Sequence, residues 1–306
     1  MYRVAMIVVL VAMVAISHPT AVDAEEKLGL ILAAHGSPAP QWNEPVLALE
    51  REVQALLNEA GDNPFVTIRV AMMEFAEPTI ETVVTDMELL GVRGIYVIPI
   101  FIAPSGHSVS DLPTILGLYS DQEKRDQLRE EGIELVSTDT RITLGPTLDY
   151  GSVLGEIMLD RLRGLSEKPQ SEGIVLLAHG DPLFEPTWES VCLRVGAYVC
   201  AHTGIPHFEF AFVEVGQSFI TEGVPAILRV AARCERTLVL GLYLSMGADG
   251  IAQRSTLSVG RMTFQGSALL TDYDIAFASH GLLPSERLAR WIASRAREWA
   301  VGRNQY

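Results

Sequence analysis

Short runs that are apolar at every position alternate along this chain with longer stretches in which apolar residues recur every three or four positions. Leu28 to Ala34 (LGLILAA) is the first continuous run. A proline-bearing loop follows, then Trp42, Val46, Leu49, Val53 and Leu56 at helical spacing. Val66 to Met73 predicts a second strand, Thr79 to Leu90 its helix, and Gly94 to Ile102 (GIYVIPIFI) a third strand. A fourth strand is expected at Ile133 to Ser137, feeding a helix over Leu148 to Leu165. Strands apolar on both faces and separated by helices belong in a parallel sheet covered on two sides.

The same order then recurs. Ile174 to Ala178 (IVLLA) ends in His179-Gly180-Asp181, as the first run ends in His35-Gly36-Ser37, and Trp188 opens the helical pattern of Val191, Val195 and Val199. Phe208 to Val213, Phe219 to Ala232, Thr237 to Leu244, Asp274 to Ala278 and Pro284 to Ala300 continue the parallel as strand, helix, strand, strand and helix. Internal duplication is the economical explanation. The breaker-rich stretch from Gly164 to Ser171 marks the boundary, giving domains at 25–165 and 172–306. The expected fold class is α/β, with two similar flavodoxin-like domains, helices on both faces of each sheet, and a cleft between the domains.

The beginning of the chain follows neither period. Arg3 precedes a nearly unbroken apolar run from Val4 to Ile16, and Val22-Asp23-Ala24 offers small residues where a signal peptidase cuts. Residues 1–24 therefore read as a cleavable signal, and the protein as exported, periplasmic or otherwise extracytoplasmic; the run is shorter than the roughly 20 residues of a spanning helix. No membrane span is expected in the mature form. The formal net charge of −15 argues against nucleic acid as a partner. Cys192, Cys200 and Cys234 lack metal-site spacing, and Cys192 and Cys200, eight apart on one helix, are separated by about 12 Å and cannot bridge. Oligomeric state leaves no mark in the pattern.

Ligands of an open parallel sheet bind beyond the carboxyl ends of its strands. His35, Glu74 and His107 follow three successive predicted strands of the first half, so they are expected to meet. Two imidazoles and a carboxylate suit a divalent transition metal such as cobalt, iron, nickel or zinc. No G-x-G-x-x-G, P-loop or G-x-S-x-G pattern is present, so no nucleotide cofactor and no ordinary hydrolase chemistry is expected.

The stretches LGLILAAHGS, AMMEFAEPTIETVV and GIYVIPIFIAPSGHSVSDLP resemble the sirohydrochlorin cobaltochelatase group of class II chelatases, specifically over Leu28 to Pro113 and more weakly beyond. The resemblance implies insertion of Co2+ or Fe2+ into a tetrapyrrole such as sirohydrochlorin without ATP, with His35, Glu74 and His107 as metal-binding and catalytic residues. Neutral histidine can both ligate a metal and accept a pyrrole proton near neutral pH.

The second half keeps His179 and Glu214, but Ser245 to Gly250 holds no imidazole where the parallel would place one. Asp249 could replace it as an oxygen ligand; the simpler expectation is a degenerate site that walls the substrate, with His280 a further cleft candidate. Export raises an alternative to enzyme action, a periplasmic metal- or heme/tetrapyrrole-binding carrier that has lost chelatase turnover. A polycarboxylate substrate also requires a local basic lining in so acidic a chain, for which Arg69, Arg141 and Arg254 are candidates.

Overall fold

The structure, a computed structural model, describes residues 26–61, 63–214, 218–259 and 262–303. The expected signal at 1–24 lies outside the described residues. In the first half β1 (Leu28–Ala34) sits between β2 (Phe65–Met72) and β3 (Gly94–Pro99), and β4 (Arg141–Leu144) lies beyond β3, all parallel in the order β2-β1-β3-β4. Between them run α1 (Pro40–Glu59), α2 (Ile80–Leu89), α3 (Leu112–Ile115) and α4 (Gln122–Glu130), and α5 (Val153–Arg163) follows β4. The second half carries β5 (Glu172–Ala178), α6 (Glu185–Thr203), β6 (His207–Phe212), α7 (Val224–Ala231), β7 (Arg236–Leu242) and α8 (Ala248–Arg254). It ends with the hairpin β8 (Thr256–Val259) and β9 (Met262–Gln265), then β10 (Ile275–Phe277) and α9 (Glu286–Arg303). Its parallel sheet has the matching order β6-β5-β7-β10.

Local chemistry sets the helices. Pro40 opens α1, where its missing N–H costs nothing, and Val46, Leu49, Val53 and Leu57 form its buried stripe. Thr79 caps α2 by accepting the Thr82 N–H at 3.2 Å, and Asp121 caps α4 through Lys124 N–H at 3.1 Å.

One expected strand is misplaced. Ile133 to Ser137 is not in the sheet; Ile133 and Val136 instead bury themselves in the outer core beside Ile115 and Leu128, and Val136 N–H bonds Ile115 O at 2.8 Å. The sheet edge is taken by Arg141–Leu144, whose mixed exposure is that of a half-solvated edge strand. The third strand also stops at Pro99, short of Ile102.

Each half lends its last helix to the other. On the outer face of the first sheet lie α2, α3 and α4; the inner face is covered by α1 and by α9, which comes from the second half and reaches β3. There the Trp299 ring stacks on Tyr96 at 4.8 Å and on Phe65 at 6.2 Å. Reciprocally, α5 of the first half packs on β7 and α6, and its Arg161 donates to Gly281 O at 2.8 Å and Leu282 O at 3.1 Å. A single apolar core, running from Leu30 and Ile98 to Leu176 and Leu240, therefore lies between the sheets. The polar stretch between the halves is pinned by Glu172, whose buried carboxylate accepts from Ser166 Oγ and from the Glu167 and Lys168 N–H groups at 2.6 to 2.9 Å. Among the described residues no helix is long and apolar enough to cross a membrane.

Candidate metal centre

β1, β2 and β3 are adjacent and parallel, so the residues that leave their carboxyl ends emerge along one edge of the sheet. His35 leaves β1 first. Gly36 then turns away with φ +89°, and a Cβ there would lie 2.0 Å from Glu74 O. Only glycine lets the two loops touch, and the contact is held by Glu74 N–H to His35 O at 3.0 Å. Beyond β3, Ala103-Pro104-Ser105-Gly106 delivers His107 to the start of a wide helical turn closed by Leu112 N–H to His107 O. Such turns recur at functional sites.

His35, Glu74 and His107 meet. Their ligating atoms lie within 4.8 Å of one another. His35 Nε2 is 2.9 Å from Glu74 Oε1, and the two imidazole rings stand edge to face at 4.5 Å. His35 Nδ1 faces the carbonyl of Gly36 at 2.9 Å. A carbonyl only accepts, so Nδ1 carries the hydrogen and Nε2 points its remaining site at the Glu74 carboxylate. With Nδ1 turned to a carbonyl, Nε2 and the Glu74 carboxylate face the same space, where both can serve as ligands to one ion. The side chains of His35, Glu74 and His107 are 29%, 21% and 47% exposed, which leaves the trio open to an incoming group.

His107 is oriented by a residue the sequence pattern did not single out. Its Nδ1 donates to Asp111 Oδ2 at 2.8 Å, and Asp111 is held in turn by Lys124 Nζ at 2.9 Å. A carboxylate behind a ligating histidine fixes the tautomer and leaves Nε2 for the metal. The hydrogen bond to Asp111 holds the imidazole of His107 above its ordinary pKa; partial burial opposes it, and the charges of Asp111, Glu74 and Asp181 reinforce it. Burial pushes Asp111 up, but hydrogen bonds from His107 and Lys124 outweigh that and hold it below the usual carboxylate range. The four-residue spacing from His107 was the available sign of this partnership.

The second half contributes to the same loop. Gly106 N–H donates to Asp181 Oδ2 at 3.2 Å, and Trp188 Nε1 donates to Pro104 O at 2.9 Å. Asp181 also escaped the sequence reasoning, although it stands beside His179 in the repeated strand-end motif.

The second-half candidates do not converge. Among the described residues the trio is the one group of three or more metal-ligating side chains. His179 repeats the backbone bond of His35, with Nδ1 2.9 Å from Gly180 O, but it and Glu214 are exposed, and 215–217 lie outside the described residues. Asp249 turns its carboxylate onto Gly250 N–H at 2.6 Å, and exposed His280 contacts its neighbour Ser279. Of the basic candidates, Arg141 is at the amino end of β4, opposite the trio, bound to Glu26 at 2.6 Å. Arg69 lies within β2 against Glu50 and Asp86, and Arg254 is exposed at the end of α8. A basic group that does face a groove is Arg194 on α6. It lines a 540 Å³ groove between the halves with Pro104, Thr147, Asp149 and Tyr150, and there it pairs with Asp149 at 3.6 Å, so the groove carries no net positive charge. Cys192 is buried, and burial pushes its thiol up to about 12, so it offers no thiolate to a metal.

Comparison with known proteins gives three results. The CbiX family profile matches residues 29–165. A sirohydrochlorin cobaltochelatase of Methanococcus maripaludis is 30% identical over 147 residues, which are 44% of this chain and 98% of the relative; that of Methanopyrus kandleri is 29% identical over 142 residues, 44% of this chain and 95% of the relative. Those relatives are thus close to half the length of this chain. In fold, the chain is similar to the sirohydrochlorin chelatase SirB from Bacillus subtilis subspecies spizizenii, solved in complex with cobalt. The TM-score is 0.60 at 16% identity, covering 89% of this chain and 94% of the other.

Proposed function

Because this chain belongs to the CbiX-like class II chelatases, we propose that it inserts Co2+ or Fe2+ into a tetrapyrrole such as sirohydrochlorin without ATP, and that His35, Glu74 and His107 perform the exchange. The convergence of these three side chains from three adjacent strand ends carries the proposal. Ligands at about 2.0–2.2 Å from a metal lie at most about 4.4 Å apart. The trio, within 4.8 Å, needs only small side-chain adjustments to close on an ion. The donor set also suits nickel and zinc.

Metallation trades two pyrrole N–H protons for one dication, so the protein must release an ion and accept protons at one place. The trio provides for both. His35 Nε2 and Glu74 Oε1, 2.9 Å apart, would hold the incoming ion together with His107. When the ion moves up into the macrocycle, His35 Nε2, Glu74 and His107 Nε2 are left as vacant bases a few ångströms below the pyrrole nitrogens. Asp111 supports the imidazolium that forms on His107, and the exposed side of the trio admits the macrocycle. The apolar run in residues 1–24 supports an extracytoplasmic location, which cell fractionation tests.

The deciding experiment is cobalt insertion into sirohydrochlorin, followed by the change in absorption, alongside a cobalt titration. Wild type should bind cobalt and form product. His35→Ala and His107→Ala should lose both, whereas His179→Ala should keep both. Tight tetrapyrrole binding with no metallated product would assign the site to a carrier, and loss of cobalt binding in His179→Ala would overturn the placement of the metal.

A further inference from the structure

Directly after Glu74 the backbone does something costly. Ala76 N–H bonds back to Glu74 O at 2.9 Å across a single residue, and that residue, Phe75, has φ +64°. This is a γ-turn of the positive-φ kind, rare because a Cβ crowds the backbone there. Among the described residues Phe75 is the one non-glycine with positive φ. Glycine or asparagine would take the position with less strain.

Packing does not explain the phenylalanine. Its residue is 60% exposed, while the next one, Ala76, joins the central core. Among the described residues the ring's aromatic neighbour is His35, at 5.7 Å with planes tilted by 41°. A large apolar ring in a strained turn, left in solvent beside a metal-ligating trio, is held for something that arrives later.

We infer that Phe75 is the platform on which the flat conjugated face of the tetrapyrrole rests while its centre faces the trio. The inference builds on the chelatase proposal, since it takes the macrocycle to be centred over His35, Glu74 and His107. A macrocycle in that position extends its pyrrole rings past the three donors, and on the side of His35 and Glu74 it passes over the Phe75 ring. Aromatic faces pair at centroid separations of about 4.5–7 Å, and the apolar surface left bare at Phe75 is then covered by ligand. The turn ties the backbone of Phe75 to that of Glu74 through the bond from Ala76 N–H to Glu74 O. Selection follows from this arrangement: a flat π-system is favoured over a metal chelator of similar charge but no planar face.

The test uses Phe75→Gly, Phe75→Asn and Phe75→Trp in the full chain, with three readouts: cobalt titration, thermal melting, and insertion kinetics separated into KM and kcat for sirohydrochlorin. Phe75→Gly and Phe75→Asn should bind cobalt as wild type does and melt at the same temperature or higher, because the turn is relieved. Their KM should rise about tenfold, the scale of one lost stacking contact. Phe75→Trp should keep KM within about threefold. An unchanged KM in Phe75→Gly and Phe75→Asn overturns the inference, as does loss of cobalt binding, which would make Phe75 a support of the metal site instead. Should wild type bind sirohydrochlorin without metallating it, the chelatase proposal fails while quenching of protein fluorescence still reads the platform. About tenfold weaker binding in Phe75→Gly upholds the inference, and equal binding refutes it.

Discussion

Asp111 sets how protons and metal compete at His107. Its hydrogen bond raises the imidazole above the ordinary value, so the proton is held more tightly than at a free histidine. A metal must displace that proton, and apparent affinity falls as pH drops through this raised value. Asp111→Asn should therefore move the lower limit of cobalt binding to lower pH. Well above that limit the less firmly oriented ring should bind about tenfold more weakly. Cobalt titrations from pH 5 to 9 measure both, and a limit that stayed in place would show that Asp111 does not control the proton. His35, Glu74 and His107 were legible in the sequence because a parallel sheet puts successive strand ends on one edge. Asp111 was legible only as a four-residue spacing from His107, because the wide turn that begins at His107 and brings the two together is announced by no periodic pattern. Arg141 shows the same limit in reverse: its charge was plain, but which end of β4 it occupied followed from a strand position the apolar pattern misplaced.

The loop from Ala103 to His107 is the element through which the second half reaches the metal centre. Asp181 holds Gly106 N–H and Trp188 holds Pro104 O, so the backbone on the approach to His107 is latched from across the groove. Asp181→Ala should cost about 1 kcal/mol of stability, the scale of one hydrogen bond. Its larger effect should be on insertion, about tenfold in kcat/KM, because a small displacement of His107 spoils the spacing of the trio. Asp181→Asn keeps an acceptor for Gly106 and should recover most of the loss; urea denaturation and insertion rates on the two variants check this. The hairpin of β8 and β9 and the helices α4 and α8 were not anticipated. The strands of the two parallel sheets and the major helices were readable from period alone, and their bounds moved by a few residues. The fourth strand was not, because Ile133 and Val136 are apolar for the outer core while the true edge strand, Arg141–Leu144, is half solvated and carries little apolar signal.

At the scale of the whole molecule the two sheets share one core, through helices that each half gives to the other. The halves should therefore unfold together, in one denaturant transition seen alike by circular dichroism and by tryptophan fluorescence. Trp299→Ala, on a helix of the second half, should lower the stability of the entire protein by about 2 kcal/mol through lost contact with Tyr96 and Phe65. Two separate transitions would contradict a common core. This exchange was invisible in the pattern: an apolar stripe says that a helix buries a face, but α5 and α9 would look the same covering their own sheets. The exchange also dictates a schedule. The ribosome releases β1, β2 and β3 early, yet the inner side of β3 stays bare until Trp299 has emerged, so the half that bears His35, Glu74 and His107 is synthesised first and finished last. A chain cut before α9 would still carry His35, Glu74 and His107 on one sheet edge, but Tyr96 and Phe65 beneath them would lack the ring that covers them.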